Sequence, residues 1–486
     1  MKFQIAHGLI KIGSLCFLLA LAGQTAVAQT TYQWTQTAGG AQSWTNPANW
    51  SGGVVPSPAA GDSIIFVYPA NQVAATTVDL GADRTAELWK YSKNGGFDSG
   101  TFTIAAGYTI NLAGTSPTIE AGPGADFIFN NVLAGTSGLA KTGSGTLRLN
   151  NAANSFSGGI EFAGGALTVA SDARLGDAGN EIVVTGGTTF NFSSGTYARN
   201  LALSNGAVVT MNGNVTLTIS GPVTGDGGIA NQSTDTFGSS SVSLSSTANT
   251  FTGPLTVGVG TQGAVTITLN SLADSASSIT LTSGSNNARD SKFVWGSGAI
   301  SAITLNQRQI VLAGGYDHVI ENSNTNPANT IAINQDVSAT STSSNRKLIL
   351  QGVNTGDNII AGVISNGVSD STTSLEKSGS GTWVLSGVNT YTGSTTVSGG
   401  ILKLAASECL ADAGTLTING GKLELAAGVG ERIDNLILGS ITQTTNTTYG
   451  SFASSAEIQD DTRFAGTGML FLGMDPPPQG TVIIVK

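Results

Sequence analysis

Residues 139–169 read LAKTGSGTLRLNNAANSFSGGIEFAGGALTV, and residues 375–404 read LEKSGSGTWVLSGVNTYTGSTTVSGGILKL. With one single-residue gap the two align end to end. Lys141 falls on Lys377, Asn154 on Asn389, Phe156 on Tyr391, Gly158 on Gly393, and Gly164-Gly165 on Gly399-Gly400. A weaker copy, SVSLSSTANTFTGPLTV, runs from Ser241 to Val257 and puts Asn249, Phe251 and Gly253 at the matching points. Within each copy apolar residues alternate with Thr, Ser, Arg or Lys, as in Thr146-Leu147-Arg148-Leu149. Successive side chains of a strand point to opposite faces, so such a run has one apolar and one polar face. Glycine pairs between the runs supply the positive φ that tight turns need.

The similarity extends past each copy. Leu175-Gly176-Asp177-Ala178, Leu272-Ala273-Asp274 and Leu410-Ala411-Asp412-Ala413 follow at similar distances, each leading into another strand. One such unit cannot bury its apolar face alone, whereas units stacked coil upon coil bury a continuous core. The expected fold class is therefore all-β, a parallel β-helix (β-solenoid) with capping segments at both ends. Assuming ~22 residues per coil, roughly 300 residues make a rod of about 14 coils and 65 Å. Asn154, Asn249 and Asn389 are expected to stack at one turn and to exchange hydrogen bonds between coils. Phe156, Phe251 and Tyr391 are expected as stacked core aromatics.

Composition agrees and excludes other classes. Of 486 residues, 10% are charged and 40% hydrophobic, and 66 are glycine. That is enough apolar surface to fold, and too few Lys, Glu and Leu for a helical bundle. With 20 basic against 30 acidic residues, nucleic-acid binding is not expected. Residues 1–28 read as a secretory signal peptide: Lys2 and Lys11, a short apolar run from Ile12 to Ala22, then Ala26-Val27-Ala28, with cleavage placed after Ala28. The mature chain then holds Cys409 and His318 as its single cysteine and single histidine. No intramolecular disulfide and no Cys/His zinc site can be assembled from these, and no transmembrane span is expected in the mature chain.

The quoted residues closely resemble the autotransporter-associated β-strand repeat, also called the passenger-associated transport repeat. Its pattern is a leucine, a lysine, a Gly-x-Gly-Thr-Leu strand, Asn-x-Tyr-x-Gly, then a strand and Gly-x-Leu. The resemblance is strong at 139–169 and 375–404 and weak over most of 120–440. Trp34, Trp44, Asn49-Trp50 and Gly61 to Phe66 resemble the opening segment of such proteins, and residues 449–472 their closing segment. The resemblance implies a right-handed β-helix displayed at, or released from, the cell surface. Autotransporters also end in a membrane β-barrel of about ten residues per strand. Only residues 473–486 follow the closing segment, with Pro476-Pro477-Pro478 and an apolar run from Gly480 to Lys486. The reading therefore lacks the barrel and expects another secretion route, or a truncated end. The organisation expected is 1–28 signal, 29–138 Trp-rich cap and first coils, 139–440 solenoid, and 441–486 closing segment and tail.

Few residues suggest chemistry. A serine triad would have to use His318, and no G-x-S-x-G elbow stands in a strand-to-helix context. His318 is instead expected in a turn between Ile310-Val311-Leu312 and Val319-Ile320. Glycoside hydrolysis needs two carboxyl groups about 5–10 Å apart. Asp460-Asp461 beside Arg463 is the adjacent pair, while Glu161, Asp172 and Asp177 read as solvated turn residues. The Gly-Gly-x-Gly-x-Asp calcium repeat is missing, and Gly225-Asp226-Gly227-Gly228 recurs nowhere. Catalytic, metal and cofactor sites are all expected to be absent. Trp34, Trp44 and Trp50 either cap the open end of the solenoid or stack on sugar rings; the cap is the first reading. The function expected is a secreted or cell-surface, non-catalytic, adhesin-like structural protein. A polysaccharide-binding module is the alternative, and a polysaccharide lyase or hydrolase comes third. Extracellular polysaccharide or cell-surface matrix is the expected partner.

Overall fold

The computed structural model describes residues 29–36, 38–69, 75–94, 100–233, 238–258, 264–283, 290–340, 345–368 and 371–477. The signal segment and the run after Pro477 lie outside the described residues. Within them the chain is a parallel β-solenoid. A sheet of nine strands climbs from Thr31–Trp34 to Val223–Gly225, and one of thirteen from Gly40–Ser43 to Val337–Ala339. A third, of twelve, runs from Gly195–Tyr197 to Ile441–Thr442, and a fourth, of seven, from Ile303–Leu305 to Phe464–Gly466. Strand pairing is parallel apart from Ile437 with Thr442, Thr447–Tyr449 with Leu470–Leu472, and a bridge from Trp34 to Trp50. Three short 3-10 turns occur among the described residues, at Pro47–Asn49, Ser51–Gly53 and Asp172–Leu175.

Alternation builds the core as expected. Phe102, Phe127, Leu147, Leu167, Phe190 and Met211 stand in register on successive strands, all buried. Each such side chain contributes roughly 1.5–3 kcal/mol on burial. Outward neighbours pair across coils instead: Arg148 meets Asp126 at 2.6 Å, and Lys90 meets Glu120 at 2.8 Å. Coil length is not uniform. Leu139 lies beside Ile160 and Leu375 beside Thr395, close to the assumed length, but Ile279 lies beside Ile310 and Leu423 beside Phe464. Between Leu423 and Phe464 the added residues include the strands Gly430–Ile433, Asn435–Leu438 and Thr447–Gly450.

Each coil has three strand positions, so the solenoid has three sides. The Asn-x-aromatic-x-Gly segment replaces a regular strand on a different side in each copy. In the first copy it follows Val132–Ala134, with Ser155 N donating to Leu133 O at 2.9 Å. In the weak copy it extends the nine-stranded sheet, with Thr250 N donating to Val223 O at 2.8 Å. In the last it extends the thirteen-stranded sheet through Ile364, which bridges Val337 and accepts from Tyr391 N at 3.1 Å. Each copy is thus set one side further round the axis. Phe156, Phe251 and Tyr391 are all buried, but they lie on different sides and do not stack on one another. Asn154, Asn249 and Asn389 are separated in the same way, which corrects the expected stacking of both sets.

Candidate functional site

Alternation from Leu139 and from Leu375 turns Lys141 and Lys377 inward, and both are fully buried. Their ammonium groups meet the same turns. Lys141 Nζ donates to the carbonyls of Thr142, Gly143 and Gly164 at 2.8, 2.9 and 3.0 Å. Lys377 Nζ donates to Ser378, Gly379 and Gly399 at 2.7, 3.0 and 2.9 Å. Burial lowers both to about 8. The glycine pairs make room for this. A Cβ on Gly400, at φ +60°, would sit 2.3 Å from Gly381 O and 2.7 Å from the Lys377 ammonium. The lysine, the Gly-x-Gly and the Gly-Gly of the repeat are therefore parts of one buried knot.

The asparagines are backbone clamps. Asn154 Oδ1 accepts from Leu133 N at 2.9 Å, and its Nδ2 donates to Arg174 O at 2.7 Å, joining the coils before and after. Asn389 does the same between Ile364 N and Cys409 O, at 2.8 and 2.7 Å. Asn249 accepts from Val223 N and donates mainly within its own coil, to Leu244 O and Ser246 O, with a longer bond of 3.5 Å to Ser271 O of the following coil. True asparagine contacts occur elsewhere. Asn322 Nδ2 donates to Asn358 Oδ1 at 2.7 Å, in a buried corner shared with Asn324, Asn329 and Asn354. The local signal was present in NSNTNPAN and VNTGDN, but it carries no period that separates a buried corner from an exposed loop.

Trp34, Trp44 and Trp50 are buried in one aromatic group at the first coil. Trp34 and Trp50 meet edge to face at 5.0 Å, Trp44 and Trp50 at 4.6 Å, and Arg84 lies over Trp44 at 4.9 Å. Trp50 Nε1 donates to Trp44 O and Trp44 Nε1 to Pro56 O, at 2.8 and 3.1 Å. Buried Asn49 holds the crossing segment by donating to Ser43 O at 2.8 Å. Beside them Tyr32, Trp50 and Val54 edge a cleft of about 310 Å³.

His318 lies in the strand Asp317–Asn322, not in the expected turn, which occupies residues 314–316. Val319 and Ile320 set the strand, and the pleat turns His318 inward. Its Nδ1 meets Ser291 Oγ at 2.9 Å, its Nε2 has no partner among the described residues, and burial lowers it to about 3. Asp460 is held by Arg463 at 2.7 Å and by Thr462 N at 2.8 Å, which keep it below the usual carboxylate range. Asp461 accepts from Phe452 N at 2.7 Å. Asp172 pairs with buried Arg199 at 3.0 Å, and Asp177 accepts from Gly179 N at 2.8 Å. Burial pushes the Cys409 thiol up to about 12. Among the described residues no group of three His, Cys, Asp or Glu is placed to hold a metal ion. No helix there is long and apolar enough to cross a membrane.

One concavity lies over the first repeat. Gly138, Gly158, Gly159, Ser116 and Glu181 are among the residues that line it. It measures about 610 Å³, within the size range of ligand clefts, with Glu161 and Asp177 also on its lining.

Comparison with known proteins matches these features. The family model for the passenger-associated-transport-repeat matches residues 139–169 and 375–404. The adhesin BmaC autotransporter of Brucella suis biovar 1 (strain 1330) is 33% identical over 304 residues. That alignment covers 58% of this chain and 8% of the adhesin, so the chain spans only a small part of its relative. No solved structure matches the chain. The lysine knot and the asparagine clamp are built alike at both matched stretches, so the β-solenoid carries two copies of the passenger-associated-transport-repeat pattern.

Proposed function

We propose that the chain is a non-catalytic structural module of adhesin-like kind, secreted or held at the outer cell surface. The observation that carries this is the 33% identity over 304 residues to a protein named an adhesin. The interior supports it. Lys141, Lys377, Asn154 and Asn389 are bonded to backbone carbonyls and amides, which leaves them little scope for chemistry on a substrate. Continuous parallel sheets resist bending, so the chain serves as a stiff spacer. Its outer faces carry Thr, Ser and cross-coil ion pairs such as Lys347 with Glu376 at 3.0 Å. Such a surface suits weak contacts repeated along an extracellular polysaccharide or a cell-surface matrix, where avidity multiplies small affinities. Residues 1–28 act as the export signal, cleaved after Ala28. Residues 29–138 form the capped first coils, 139–440 the repeat-bearing solenoid, and 441–486 the closing segment and tail.

Trp34, Trp44 and Trp50 serve in this reading as the N-terminal cap, supported by their burial and mutual edge-to-face packing. A polysaccharide-binding role for these rings is the second reading, favoured by the cleft beside Trp50. Residues 29–486 applied to a panel of insoluble polysaccharides and to extracted surface matrix test both. Retention on one of these materials is the expected result. No retention on any of them, with the protein missing from the cell surface, overturns the proposal. Trp50→Ala then separates the roles: lost folding supports the cap, and lost retention with the fold intact supports sugar contact.

A further inference from the structure

One buried aromatic of the closing segment faces away from the core. In the strand Met469–Leu472 the pleat turns Leu470 and Leu472 inward, and both join the main core. Phe471, between them, faces outward, yet only 6% of it is exposed. Its cover comes from the chain itself. Gly473 takes a φ of +70°, and the residues after it turn back. Asp475 pairs with Arg432, and Pro476 lies over Gly430 on the neighbouring strand Gly430–Ile433. A Cβ on Gly430 would come 2.9 Å from Pro476 Cβ and 3.2 Å from the Phe471 ring. Gly430 has no left-handed φ, so the space taken by Pro476, not the backbone angle, excludes a side chain there.

Pro476 covers only part of this outer face. Val429, Met469, Phe471, Pro476 and Pro477 line a mostly apolar cleft of about 220 Å³ beside it. That is smaller than the roughly 300–1,000 Å³ of small-molecule clefts, and it suits the aliphatic side chains of a peptide. The chain arrives at this cleft with Pro477, the last residue described. Pro478-Gln479-Gly480 follow, then 481–485 read TVIIV before Lys486. Thr481 is therefore at most about 14 Å along the chain from Pro477. An uncharged run of such high β propensity pairs with other chains when it is left exposed. If extended, it has Val482 and Ile484 on one face and Ile483 and Val485 on the other, so either face is apolar. Charge agrees as well. Arg432 meets Asp412, Asp434 and Asp475, three carboxylates to one guanidinium, which suits Lys486 beside them.

We infer that the cleft beside Phe471 is the docking groove for residues 481–485 of the same chain, whose aliphatic side chains complete the outer cover that Pro476 begins. The tether favours this occupant. A short linker holds the run at an effective concentration of about millimolar, against which a second copy must compete from solution. The docked run has two effects. It keeps a strand-forming segment away from neighbouring chains. It also presses on Gly430–Ile433, whose Glu431 accepts from Leu410 N at 2.5 Å and Cys409 N at 3.2 Å, so the closing sheet is held against the turn after the last repeat.

Hydrogen exchange of residues 29–486 tests the groove against two variants. One stops after Pro477, and the other is Val482→Asp with Ile483→Asp, which puts a charge on each face of the run. Amides at 467–472 should exchange about tenfold faster or more in both, as on withdrawing one buried aliphatic side chain. Peptides at 160–169 should not change. Unchanged exchange at 467–472 in both variants overturns the docking. A variant that also loosens 160–169 has lost the fold, and crosslinking of the full-length chain then decides. Met469→Cys is combined in turn with Val482→Cys, Ile483→Cys and Ile484→Cys and treated with a short dimaleimide, while Cys409 stays buried. At least one pair should join within a single chain. Joining only between two chains, which seats the run in a second copy, or no joining at any of the three positions, overturns the inference.

Discussion

Replacing Lys377 by Met tests the buried knot at the centre of the repeat. Met keeps most of the stem volume, so the change isolates the ammonium. Two effects oppose each other. Burial lowers the ammonium to about 8 from 10.5, which corresponds to about 3 kcal/mol of unfavourable charge burial at 1.36 kcal/mol per unit. Removing the charge recovers that much. The same change deprives three turn carbonyls, now at 2.7, 3.0 and 2.9 Å, of their donor. Each buried acceptor left unmet costs about 1–3 kcal/mol. At mid-range the carbonyls win, and the net loss is about 3 kcal/mol. A solenoid unfolds in parts, so the loss is read locally. Amides at 378–381 and 399–402 should exchange roughly 100-fold faster, because 1.4 kcal/mol is tenfold. Unchanged or slower exchange in Lys377→Met would refute the carbonyl accounting and make the lysine a net liability of the fold.

Two further outcomes follow from the same contacts. Asn389→Ala removes the link from Ile364 N to Cys409 O, and should destabilise the neighbouring coils by about 1–3 kcal/mol, read as a lower urea midpoint for peptides at 362–366 and 407–411. The chain should also lose stability in acid at Asp317–Asn322. His318 is lowered from 6.5 to about 3 by burial, so the unfolded state binds the proton first, and stability falls as pH drops from 6.5 towards 3. His318→Leu should flatten that limb in exchange measurements, and an unchanged limb would place the acid sensitivity elsewhere.

Much of the lysine knot was written in plain view. Leu139 and Lys141 are two residues apart on one strand, as are Leu375 and Lys377, so a strict pleat already turns both lysines inward. Their charge argued against that placement, because an ammonium is rarely buried without acceptors. The acceptors come from Gly164 and Gly399, which reach the lysine only when the following coil lies on top. Arg308 and Glu431 were illegible for the same reason: their partners at 251–277 and 409–410 belong to other coils. His318 was misplaced by one short turn, because Gly314-Gly315 suggested a wider loop than the chain makes. The tryptophans could be read two ways, since an aromatic cap and an aromatic platform have the same composition.

What the sequence determined alone was the coil: alternating strands, glycine corners, and repeats that need stacking to bury their apolar side. Those features are local, governed by the pleat, by φ at glycine and by the demand for a core. Only the tertiary structure decided on which side each copy sits. That depends on how many strand positions separate the copies, and variable loops hide the number from any linear reading. The rotation removes the asparagines and aromatics from one another's reach and leaves each to bond the backbone of its own neighbours. Contacts between coils follow from the accumulated register of the whole stack, which no single stretch of residues contains.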